Sequence, residues 1–112
     1  MKKMFLAILV CLAGITGAHA YSAKGMVAYK KLCKQCHGSG FKGAAMLTSD
    51  GWEEMFASEA EKLKSAHEDY DEAMEVLRSP YFERRLDALG KFLRDNGSDM
   101  GVVRSCDGLN CG

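Results

Sequence analysis

Five residues, Cys33-Lys34-Gln35-Cys36-His37, constrain this chain more than any other stretch. Two thiols three positions apart with an imidazole directly after them form the pattern of covalent c-type haem attachment. The spacing has a chemical reason. On one helical turn, positions i and i+3 project to the same side, so each thiol can add to one vinyl group of a single porphyrin. The next residue then brings an imidazole nitrogen to the iron as the proximal ligand. The rest of the chain has to build a pocket around that group.

At 112 residues there is room for one domain. Residues 1–20 read as a secretory signal peptide. Lys2 and Lys3 give a positive start, Met4 to Gly14 is an apolar run, and Ala18-His19-Ala20 supplies the small residues of a cleavage point. The run is shorter than the ~20 residues that span a bilayer, so membrane attachment is expected only if the segment stays uncleaved. Val10 stands where lipid attachment to Cys11 would want a small residue, and Cys11 leaves with the leader. Taking 20 from 112 leaves a mature chain of 92 residues, Tyr21 to Gly112. Without Lys2 and Lys3 the basic residues fall from 15 to 13 against 15 acids, a net charge of −2. No basic patch stands out, which excludes nucleic-acid binding. A domain of this length has a thin core, and a haem at its centre would supply apolar contact that the side chains lack.

Four cysteines remain in the mature chain: Cys33, Cys36, Cys106 and Cys111. As free thiols in an oxidising compartment they can pair in three ways. If a haem takes the first two, Cys106 and Cys111 are left to each other across a short loop. A zinc site drawing on all four is another use of the same residues.

Ser22 is placed to cap a first helix running through Lys24 to about Cys33. Gly25 and Tyr29 lie four apart and share a face. A small residue there lets another helix cross closely, with the ring filling the space beside it. Gly38, Gly40 and Gly43 mark a flexible segment that reads as non-helical. Thr48, Ser49 and Asp50 then start a helix. From Trp52 to about Arg78 neither Gly nor Pro occurs, which predicts one long middle helix. Trp52, Phe56, Leu63, His67, Tyr70, Met74 and Leu77 make its apolar stripe, while Glu59, Glu61, Glu68, Asp69, Asp71, Glu72 and Glu75 give an acidic, solvated face. Such a face suits docking to a basic partner through contacts that weaken with salt. Ser79-Pro80 re-aims the chain. A last helix follows from Tyr81 to Asp95, with Phe82, Leu86, Leu89, Phe92 and Leu93 on its apolar face and Asn96-Gly97 as its stop. Residues 98–112 form a Gly-rich, irregular tail.

In Gly25, Tyr29, Cys33, Cys36 and His37 the chain resembles the class I monohaem cytochromes c, in which a glycine and, four residues on, an aromatic mark the crossing of the first and last helices. The resemblance implies an all-α fold, with three main helices around one covalently bound haem c in residues 21–97. It implies a periplasmic protein, since c-type haem is attached outside the cytoplasmic membrane, and redox proteins as its partners. It also implies that the glycine-rich segment wraps the proximal side of the haem, its carbonyls orienting the ligating imidazole. In most members a Met in a loop before the last helix is the sixth ligand. Here the corresponding region has no Met-Pro and reads as helix. The candidates on this chain are His67 and Met74, seven apart on the expected middle helix, with another Met or an open position as the remaining options.

The function these residues predict is single-electron transfer without organic catalysis, so not an enzyme. Cys33 and Cys36 are the thioether positions, His37 the proximal ligand and His67 the distal candidate. Two other classes use the same residues: a five-coordinate haem sensor or ligand binder, and a haem-free zinc or disulfide module. A thioredoxin-like dithiol would want a strand–helix context, and no strand pattern occurs.

Overall fold

The computed structural model describes residues 18–101, with side chains from residue 23 onward. Their regular structure is all-helical: α1 (Ala18–Leu32), α2 (Lys34–His37), α3 (Gly40–Ala44), α4 (Ser49–Ala66), α5 (Asp71–Leu77) and α6 (Pro80–Asp95). The expected all-α class stands, with six helices where three main ones were expected.

The core is built where α1 crosses α6. A Cβ placed on Gly25 would run into the carbonyl oxygen of Ala88 and the side chain of Phe92. The two backbones therefore meet about as closely as glycine permits. One turn later Tyr29 fills the space beside the crossing, its ring 5.9 Å from that of Phe92. Phe41 lies against Phe92 from α3, with ring centres 6.2 Å apart. Tyr29, Phe82, Leu89 and Phe92 are fully buried, each worth roughly 1.5–3 kcal/mol of apolar transfer.

Helix ends follow the local chemistry. The Thr48 hydroxyl accepts from the Gly51 N–H at 3.1 Å and starts α4. The Ser79 hydroxyl accepts from Phe82 N–H at 3.2 Å, and Pro80 occupies the first position of α6. At the other end of α6 the Asn96 side chain donates to the carbonyl of Phe92 at 2.8 Å, beside the backbone N–H of the same residue at 3.2 Å. Beyond it, Ser98 N–H donates to the Leu47 carbonyl and the Asp99 carboxylate accepts from Ser49 N–H. These two bonds tie the start of the tail to α4. Cys106, Cys111 and residues 1–17 of the expected signal peptide lie outside the described residues.

Three local expectations are corrected. Ser22 lies inside α1 and does not cap it, because no Gly or Pro between Ala18 and Lys24 stops the helix from extending toward the N-terminus. The glycine-rich segment contains a helix, α3, with Gly43 inside it. The cost of a helical glycine, about 1 kcal/mol, is offset by packing: a Cβ at Gly43 would collide with the Tyr29 ring, and one at Gly40 would press on Phe92.

The single middle helix is the third correction. It breaks twice. Ala57 turns extended, and Ser58, Glu59 and Ala60 follow in the left-handed region at φ 52°, 56° and 61°. Each such residue costs roughly 1–2 kcal/mol. In return Ala60 is fully buried, Phe56 meets α6 at Gly90, and Lys64 reaches the face of Phe82. The second break spans residues 67–70. Glu68, Asp69, Asp71 and Glu72 would set like charges three and four apart on one helix. Starting a new helix puts Asp71 and Glu72 in its first turn, where the dipole favours them. Tyr70 leaves the stripe and is 66% exposed. His67 and Met74 no longer share one helix face.

Candidate functional site

The Cys33–His37 motif forms one helical turn hung directly from α1. Cys33 N–H donates to the Tyr29 carbonyl at 2.8 Å, and His37 N–H donates to the Cys33 carbonyl at 3.0 Å. Gly38 then reverses the chain at φ 80°, a conformation that favours glycine. The Tyr29 hydroxyl donates to the Gly38 carbonyl at 3.0 Å. Burial, reinforced by the nearby Cys33 thiol, pushes the Tyr29 hydroxyl far above its usual range, so it stays a proton donor. The same side chain that fills the α1–α6 crossing thus pins the exit of the motif.

The two thiols differ in setting. Cys36 is exposed, whereas Cys33 is half-buried and packs against the core. Burial first, and the neighbouring Cys36 second, push the Cys33 thiol up to about 12. Reactive dithiols need the opposite shift, toward the thiolate. In the reduced, unmodified chain, iodoacetamide is expected to alkylate Cys36 well before Cys33. The lag should persist to pH 10 and vanish in denaturant, as peptide mass mapping over a time course would show. Equal rates in the folded chain would contradict this difference.

His67 ends α4 at φ −114°, ψ 6° and is half-buried. Its ring lies opposite that of His37, 30 residues away in sequence, with ring centres 5.9 Å apart and planes at 84°. The Nδ1 atom of His67 sits 2.7 Å from the carbonyl oxygen of Leu63. A carbonyl can only accept, so Nδ1 donates, and Nε2 is the nitrogen left for a metal. A second hydrogen bond of this kind is what fixes the tautomer of metal-ligating histidines.

The fold thus brings His67 against the turn that carries Cys33, Cys36 and His37. Among the described residues no three or more His, Cys, Asp or Glu side chains converge on a metal position. Two facing imidazoles are the complement that an iron already held by four porphyrin nitrogens takes, and Cys33 and Cys36 stand on the adjoining turn, so the donor set fits a haem.

The other sequence candidates fall elsewhere. Met74 packs against the hydrophobic core from α5, and Met46 is 49% exposed. The Trp52 indole donates to the Ala44 carbonyl at 2.7 Å in a buried bond, which uses its single donor. Exposed acids Glu68, Asp69, Asp71 and Glu72 follow His67 directly. On the opposite sign, Lys31 and Arg85 both lie over the ring of Tyr81, at 5.1 Å and 5.6 Å. No described helix is long and apolar enough to cross a membrane. No family model, curated protein or solved structure matches the chain.

Proposed function

We propose that this chain is a periplasmic single-electron carrier of the class I cytochrome c type, built on one c-type haem attached through Cys33 and Cys36 with His37 as proximal ligand. The observation that carries the reading is the Cys-x-x-Cys-His motif folded as one helical turn at the α1–α6 crossing, with a second imidazole facing its histidine. A bound haem supplies the redox chemistry, exchanging one electron at a time between donor and acceptor proteins.

The chain's own residues do the rest. Cys33 and Cys36 would hold the haem, each by adding its S–H across one vinyl C=C, sulfur to one carbon and hydrogen to the other, with no external oxidant or reductant consumed. His37 would offer an imidazole nitrogen to the iron. Tyr29, through its bond to the Gly38 carbonyl, holds the turn that carries His37 in place. The buried rings of Tyr29 and Phe92 pack against each other at the helix crossing from which the motif hangs. The exposed acids beside His67 suit a donor or acceptor with a basic docking face.

Intact mass of the protein exported to the periplasm tests this reading. The expected mass is that of the chain from Tyr21 plus one haem. A mass equal to the haem-free chain overturns it.

A further inference from the structure

We propose that His67 is the second axial ligand of the iron, which makes the site a closed bis-imidazole centre. The proposal rests on the haem reading of Cys33, Cys36 and His37. The carrying observation is the separation of the two rings, 5.9 Å between centres. Two imidazoles bound on opposite sides of one metal, with bonds of about 2.0 Å and a ring radius of about 1.1 Å, have centres about 6.2 Å apart. The observed spacing falls within a few tenths of an ångström of that figure.

An edge-to-face aromatic pair also has centres 4.5–7 Å apart, and the spectra described below separate the two explanations. The Nδ1 atom of His67 donates to the Leu63 carbonyl, which leaves Nε2 as the nitrogen available to a metal. Its position is also fixed. His67 sits at the break between α4 and α5, where the C-terminal carbonyls of α4 lack helical partners. One of them, Leu63, orients the ring. The break removes His67 from the apolar stripe and turns it toward the motif. Met74, the rival ligand, remains on the core side of α5.

The near-perpendicular planes, at 84°, carry a spectroscopic consequence. Low-spin ferric iron between crossed imidazole planes has nearly degenerate π-type d orbitals, and its electron paramagnetic resonance signal is strongly anisotropic. Parallel planes would instead give a rhombic signal.

The test uses the purified, oxidised holoprotein, after intact mass has established the haem. The wild type is expected to be low-spin with the anisotropic signal, without a near-infrared sulfur-to-iron band, and slow to bind carbon monoxide when reduced. The His67→Ala variant is expected to turn high-spin, to bind carbon monoxide readily, and to return to low spin with added imidazole. The His67→Met variant keeps the proposal testable should the alanine variant fail to fold. It should gain the sulfur-to-iron band and show a raised midpoint potential, as Met ligation does. A wild-type sulfur-to-iron band, a high-spin wild type, or a His67→Ala spectrum identical to wild type each overturns the proposal while leaving the haem reading intact. A haem-free mass removes the reading itself and is seen before any ligand is tested.

Discussion

Replacing Gly25 by leucine is expected to produce the largest loss of stability of any single change in α1. A Cβ at this position already meets the Ala88 carbonyl oxygen and the Phe92 side chain, and a carbonyl in the middle of α6 cannot rotate away. The helices must separate. Overpacking a well-filled core costs typically 1–3 kcal/mol and sometimes more, and here separation also unseats Tyr29 and Phe92, which are almost wholly buried. Against a total stability of about 5–15 kcal/mol, a loss of 3 kcal/mol or more is expected for leucine, with alanine intermediate. Chemical denaturation of the purified protein measures it. Lys24→Ala, one residue away and exposed, is the control and should stay within about 0.5 kcal/mol of wild type. Equal midpoints for Gly25→Leu and Lys24→Ala would mean that the crossing is not where the chain's stability resides.

The same crossing shows which parts of the fold were legible in the sequence. Gly25 and Tyr29 announce it because their spacing encodes a local geometric fact, a gap beside a ring on one helix face. Thr48, Ser79-Pro80 and Asn96-Gly97 announce helix ends because capping is chemistry within a few residues. The breaks at 57–60 and 67–70 were not legible. Nothing in Ala57-Ser58-Glu59-Ala60 disfavours a helix locally, and its left-handed turn exists only because Phe56 and Lys64 have separate contacts on α6. The acid cluster around residue 70 was visible, and it was read as a solvated face of one helix when it also marks the start of another. The glycines of α3 were misread for a related reason: their role is to admit the rings of Tyr29 and Phe92, a demand set by residues far away in sequence. The sequence points to His67 together with Met74, seven residues apart on an expected helix face. The pairing of His67 with His37 depends on the second break, so periodicity along an unbroken helix reached the residue by a geometry that the fold does not use.

Changing Cys33 and Cys36 together to alanine is expected to abolish covalent haem attachment, the largest effect on function available in this chain. On a denaturing gel the haem-dependent peroxidase stain should disappear, and the intact mass should fall to that of the haem-free chain. Acid-resistant haem in the double variant would show that attachment runs through other residues. The single variants should not be equivalent. Cys33 is half-buried against the core and Cys36 is exposed, so Cys33→Ala loses packing as well as a thioether, about 1 kcal/mol more than Cys36→Ala. The double variant should then fall below the sum of the singles. Each single variant retains one thioether and an anchored haem, which stabilises the folded chain as any ligand that binds only that state does. With both thiols gone a haem would be held by coordination alone, its effective concentration at the site would drop, and a domain this short, with a thin side-chain core, would lose the apolar contacts the haem supplies. Additive losses would indicate that the helices hold together without it, and that the crossing at Gly25 carries the fold by itself.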